Sequence, residues 1–150
     1  MDGSVTVSMA APAEKIWNLI ADVRNTGRFS PEVMEAEWIG PATGPALGAR
    51  FRGHVKRNGR GPTYWSECRV TTADVEREFA FEVVVGGKVV NRWGYVLTPT
   101  ATGTDVTESF AMAPSLLTRG YWLLLGWARG RTNRNGMRET LERAKAIVEA

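Results

Sequence analysis

The sequence predicts an α+β domain in which a curved antiparallel sheet of about six to seven strands wraps around one long C-terminal helix. Two short helices are expected after the first strand. Three observations point there. Between Val33 and Met112, apolar and polar residues alternate in runs of strand length. Those runs are separated by short turns rich in Gly, Pro and Asn, which favour antiparallel neighbours. From about Ser115 onward the period-two alternation gives way to helical spacing.

Taken in order, Ser4–Met9 reads as the first strand, with Val5, Val7 and Met9 alternating with Thr6 and Ser8. Pro12 suits a first helical turn, where its missing N–H goes unused. Ile16, Trp17, Leu19, Ile20 and Val23 then recur at helical spacing, and Asn25-Thr26-Gly27 breaks the helix. A second short helix is expected over Arg28–Glu32, carrying Phe29 and stopped near Pro31. Strands are expected at Val33–Ile39, Ala49–Lys56, Thr63–Thr72, Glu78–Val85, Val89–Thr98 and Asp105–Met112. Their punctuation is Gly40-Pro41 with Gly44-Pro45, then Asn58-Gly59-Arg60-Gly61-Pro62, Gly86-Gly87 and Thr102-Gly103. Ser115 behind Pro114 reads as the N-cap of a helix running to Glu149, with a kink or joint near Gly120, Gly126, Gly130 and Gly136. Met137, Leu141, Ala144 and Val148 form an apolar face on its last part. A sheet that buries one face needs a cover, and this helix is the element large enough to supply it. No repeat or linker divides the chain, so residues 1–150 are expected to form one domain.

Composition narrows the chemistry. A single cysteine, Cys68, and a single histidine, His54, exclude an intrachain disulfide, a multi-cysteine zinc site and a two-histidine metal site. No metal and no cofactor are expected, and Cys68 reads as a small buried hydrophobe. The net charge of +3 comes without a lysine-rich tail, so nucleic acid is not expected as a partner. Met1-Asp2-Gly3 lacks the basic and apolar regions of a secretory signal. The apolar run near Tyr121–Leu125 falls far short of the roughly 20 residues that span a bilayer. A cytoplasmic location is the expectation. Six tryptophans supply large apolar surfaces with polar edges, as cores and ligand sites require.

Several segments, in this order, resemble the START-like, or helix-grip (SRPBCC), superfamily, and within it the polyketide cyclase/dehydrase-like group. Ala11-Pro12-Ala13-Glu14-Lys15-Ile16-Trp17 resembles the start of its first helix. Asp22 followed by Phe29-Ser30-Pro31 is similar to its second-helix signature, with Phe29 where Trp is common. Gly48-Ala49-Arg50-Phe51-Arg52-Gly53, Arg92-Trp93-Gly94-Tyr95 and Gly103-Thr104-Asp105-Val106-Thr107-Glu108 resemble strand segments of the same group. Asn135-Gly136-Met137 through Leu141-Glu142 is similar to its last helix. The resemblance implies a deep pocket for lipids, sterols, polyketides or similar molecules. Members include aromatases and cyclases as well as carriers and sensors, so fold alone does not choose among them.

Strand parity assigns the faces. Phe51, Gly53 and Val55 share one face, opposite Arg50, Arg52, His54 and Lys56, which belong in water. Phe79, Phe81, Val83 and Val85 share a face, as do Trp93, Tyr95 and Leu97, and Val106, Glu108, Phe110 and Met112. A ligand-binding set follows: Phe51, Phe81, Trp93, Tyr95, Glu108 and Phe110 from the sheet, with Leu124 and Trp127 from the helix. Glu108 is the sharpest polar candidate, because a buried carboxyl needs a partner or a proton. The simpler reading, preferred on sequence, pairs it with Arg92 or Arg69. The sharper one lets it donate to a ligand carbonyl or act as acid/base, with Tyr95 as a second catalytic candidate. The register around Tyr64–Arg69 is open at this level. Leu116–Trp127 is apolar around nearly its whole circumference, and Arg119, Arg129, Arg131 and Arg134 are the only charges between Ser115 and Gly136. That pattern points to peripheral membrane contact or a homodimer through this stretch. The expected function is an intracellular carrier or sensor of a small hydrophobic molecule. The alternative is a polyketide cyclase or dehydratase acting in the same cavity.

Overall fold

The computed structural model describes residues 2–56, 62–112 and 134–150. Seven strands form one antiparallel sheet: β1 (Asp2–Met9), β2 (Val33–Ile39), β3 (Arg50–Val55), β4 (Tyr64–Asp74), β5 (Glu78–Val85), β6 (Lys88–Pro99) and β7 (Thr104–Met112). Their spatial order is β1-β7-β6-β5-β4-β3-β2, so β2 to β7 form a meander and β1 adds to its end. Helix α1 (Ala13–Ile20) and a 3-10 helix (Val23–Arg28) carry the chain from the β1 edge to the β2 edge. Helix α2 spans residues 134–148.

Turn chemistry sets the hairpins. Gly86 and Gly87 join β5 to β6 with φ of 59° and 79°, the left-handed pair that a two-residue hairpin turn demands. The β4–β5 connection, Asp74 to Arg77, has no glycine, and Glu76 takes the left-handed position at φ 63°. Three register shifts bend the sheet, at Val33/Glu35, Val70/Thr72 and Val83/Val84. Each leaves one residue unpaired and increases local twist, which is how a flat ladder becomes a concave one.

The concave face is the buried one. Phe51, Cys68, Val70, Phe79, Leu97, Val106 and Phe110 point into it. Trp17 of α1 packs edge-on against Phe79, with centroids 6.2 Å apart. From α2, Met137, Leu141, Ala144 and Val148 are buried, the face that helical spacing assigned. The far end of α2 is tied to the β1 end: Ala10 N–H donates to Glu149 Oε2 at 2.8 Å, and Lys145 Nζ donates to the Ser8 carbonyl at 3.1 Å.

One element is corrected. The second short helix lies at Val23–Arg28, not Arg28–Glu32. Its polar residues, expected to break structure, build it instead. The Asp22 carboxylate accepts from Arg24 N–H and caps the turn, and Thr26 Oγ1 donates to the Val23 carbonyl. Asn25 Nδ2 reaches back to the carbonyls of Asn18 and Leu19. Phe29 follows that helix and is buried at 2% exposure. The stretch Leu116–Trp127, with Leu124, Trp127 and three of the four interrupting glycines, lies outside the described residues, as does most of the Asn58–Pro62 turn.

Candidate functional site

A cavity of about 290 Å³ lies between the concave sheet face and the near end of α2. Its closed end is formed by Ile20, Phe79, Tyr95 and Glu108, all buried. Towards Tyr64 and Val85 the lining becomes exposed, so the mouth lies at that end of the sheet. Phe51, Phe81, Val83 and Trp93 line the middle. Met137 and Thr140 of α2 roof it, and Thr26 and Phe29 close a flank. The aromatic rings brace one another: Phe51 meets Phe81 edge-on at 5.1 Å and Trp38 at 5.7 Å.

The polar centre is Glu108 with Tyr95. Register places them directly opposite on β7 and β6. The Tyr95 hydroxyl donates to Glu108 Oε2 at 3.1 Å, and Glu108 Oε1 is buried without a partner. Burial pushes the Glu108 carboxyl up to about 8, against a smaller opposing pull from the Tyr95 hydrogen bond. Burial, then the neighbouring Glu108, raises the Tyr95 phenol well above its usual range. At neutral pH the pair is therefore a carboxylic acid beside a phenol. With Oε2 accepting from Tyr95, the acid proton belongs on Oε1. Such a group can donate to a ligand oxygen, or exchange a proton near pH 8. The Cys68 thiol, by contrast, is pushed up to about 12, chiefly by burial, and is no nucleophile there.

The preferred sequence pairing of Glu108 with Arg92 or Arg69 does not form. Both arginines stand on the outer face and take Glu82: Arg69 hydrogen-bonds its carboxylate, and Arg92 Nε lies 3.8 Å away. The reason is parity. Arg92 and Glu82 are a cross-strand pair on the face opposite Tyr95 and Glu108. The outer face also takes Arg52 and His54, which pack on the Trp65 ring at 4.4 Å and 4.6 Å. The open register at Tyr64–Arg69 thus resolves with Ser66 and Cys68 inward and Trp65 outward.

Of the expected ligand set, Phe51, Phe81, Trp93, Tyr95 and Glu108 come together on the cavity wall. Phe110 is buried but stands beside the cavity, its ring tilted against Trp93 with centroids 4.7 Å apart and opposite Gly3, where Met137 closes over the sheet. Asn91 was missed. It lines the cavity with a buried Oδ1 that has no partner. Its parity with Trp93 and Tyr95 was legible, but a polar residue at a strand end reads as solvated. Among the described residues no group of three His, Cys, Asp or Glu side chains is placed to hold a metal. No helix among them is long and apolar enough to cross a membrane.

A family model described as polyketide cyclase / dehydrase and lipid transport matches residues 2–149. The fold is similar to the solution structure of the Polyketide_cyc-like protein Cgl2372 from Corynebacterium glutamicum. That match has 27% identity and a TM-score of 0.63, covering 99% of this chain and 91% of that one. Protein NE0264 from Nitrosomonas europaea is 13% identical with a TM-score of 0.73, covering 99% of this chain and 94% of that one. Protein Ms6760 from Mycobacterium smegmatis is 19% identical with a TM-score of 0.66, covering 99% and 90%. At 13% and 19% identity the likeness is one of fold. No curated protein matches the chain.

Proposed function

The chain belongs to the polyketide cyclase / dehydrase and lipid transport family, and we propose that it binds a small hydrophobic molecule in the cavity between sheet and α2, as an intracellular carrier or sensor. The observation that carries this reading is a largely apolar cavity whose closed end holds one neutral acid–phenol pair. Binding sites are mostly apolar with a few convergent polar groups. Cyclisation needs more: several positioned groups to enolise carbonyls and stabilise oxyanions. Here Tyr95 and Glu108 stand together, whereas Ser66 lies on β4, Asn91 four residues along β6, and Thr140 on α2 with its hydroxyl donating to the Gly136 carbonyl. Titration with Nile red, a neutral apolar dye, tests the reading. Saturable one-to-one binding is expected, with displacement by the organic extract of the purified protein. Dye that binds without saturation, or is not displaced, speaks against a ligand site.

One observation favours the second reading, a polyketide cyclase or dehydratase. The Glu108 carboxyl is poised near 8 and hydrogen-bonded to Tyr95, as an acid/base pair should be. If Glu108 is catalytic, Glu108→Gln keeps dye binding and abolishes turnover of a polyketone substrate. Equal turnover by both proteins removes Glu108 from any mechanism. Peripheral membrane or self contact through Leu116–Trp127 rests on sequence. Flotation with anionic liposomes and sedimentation velocity of wild type and a Trp122→Ser, Leu125→Ser double variant test it.

A further inference from the structure

The cavity has two polar poles. At the closed end, Glu108 Oε1 is buried and unpartnered. Towards the mouth, Asn91 Oδ1 is buried and unpartnered too. A buried polar atom without a partner is costly, so an occupant that pairs with both is favoured. The second pole sits beside a backbone irregularity. Val83 pairs with Asn91 and Val84 with Val89, so Val90 has no partner of its own. The bulge adds Val90 to the cavity wall beside Asn91, which faces inward by alternation with Trp93 and Tyr95. Bulges recur where a strand must re-aim a side chain. Asn91 and Tyr95 are four residues apart on one face of β6, on the order of 13 Å. Between the poles lie Trp93 and Phe81, with Val83 level with Asn91.

We propose that the ligand is an uncharged, elongated molecule that offers an oxygen acceptor, such as a ketone or lactone carbonyl, to Glu108 and a hydroxyl or amide donor to Asn91, with an apolar body between. This deepens the binding reading above and rests on it. An anionic head is disfavoured at the closed end, because it would meet the buried Glu108 carboxyl there and no Lys, Arg or His stands among the described lining residues.

The test uses the whole chain and straight-chain probes of about ten carbons, long enough to bridge the two poles. A methyl ketone, the same ketone with a terminal hydroxyl, and the matching fatty acid are titrated calorimetrically at pH 7. The hydroxy-ketone is expected to bind about tenfold more tightly than the ketone, and the fatty acid more weakly than both. Asn91→Leu should erase the gain from the hydroxyl, so that ketone and hydroxy-ketone bind that variant with equal affinity. Glu108→Leu should weaken both ketones about tenfold. Either variant that unfolds is replaced by Asn91→Ser or Glu108→Met, checked by circular dichroism. Equal affinities for ketone and hydroxy-ketone, unchanged in the Asn91 variant, overturn the two-pole ligand while leaving the cavity reading intact. A fatty acid that binds best overturns the uncharged ligand. If none of the three binds, the cavity reading itself falls, and the ligand class with it.

Discussion

Glu108 is a carboxyl held in an apolar wall, 3% exposed, with one oxygen unpaired. Its consequence for stability has a definite sign. Between its ordinary value of 4.5 and about 8, the folded chain keeps a proton that the unfolded chain has released. Stability therefore falls as pH rises through that window, by up to about 1.4 kcal/mol per pH unit, and levels off above it. Neither Tyr95 nor Cys68, also on the wall, adds to the slope there, since both titrate above the window. Glu108→Gln should remove the slope. Urea unfolding of both proteins between pH 5 and 9 is expected to give similar stabilities at pH 5 and a more stable variant at pH 8.5. Parallel pH profiles would place the carboxyl in solvent. Parity along β7 made the inward direction of Glu108 legible in the sequence. Its partner was legible only in part: parity already sets Arg92 on the face opposite Tyr95, but placing Tyr95 level with Glu108 requires the β6–β7 register, which no single strand encodes.

At the scale of elements, two glycines fix how the connections lie. A Cβ on Gly27 would sit 2.2 Å from the Met34 carbonyl oxygen, and one on Gly103 would sit 2.1 Å from that of Met9. Both obstacles are backbone, so neither yields cheaply. Gly103→Ala should cost about 1–3 kcal/mol or more by chemical denaturation. An unchanged midpoint would mean that the β6–β7 loop does not press on β1. The outer-face ion pairs differ in the same physical way. Glu82 is buried and Arg69 is its main partner, whereas Arg50 and Glu67 are both exposed. Arg69→Ala should cost about 1–3 kcal/mol, leaving a buried carboxylate short of a partner. Arg50→Ala should cost under about 1 kcal/mol. Comparable losses would mean that burial does not set the value of these pairs. Hairpins punctuated by glycine, such as Gly86-Gly87, were legible to within a residue or two. The 3-10 helix was displaced by several residues, because Asp22, Asn25 and Thr26 read as breakers until their side chains are seen to bond the local backbone.

At the scale of the molecule, the proposed function requires the sheet and α2 to enclose space for a ligand to fill. Sequence alone does not separate a cavity from a solid core, because both use Phe, Trp and Val on the same parity. What separates them is sheet curvature, produced here by three bulges that hydrophobic alternation does not announce. Filling that space should compete with the ligand without harming the fold. Val83 lines the cavity beside Asn91, so Val83→Trp adds a large apolar side chain where there is volume to receive it. The direct test is native mass spectrometry of the wild type and Val83→Trp, purified identically, with the melting temperature of each measured alongside. A small-molecule adduct is expected on the wild type, released on denaturation and absent from Val83→Trp, with a melting temperature for the variant at or above that of the ligand-free wild type. A wild type without any adduct under conditions that preserve the fold, or the same adduct on both proteins, would contradict the proposed function.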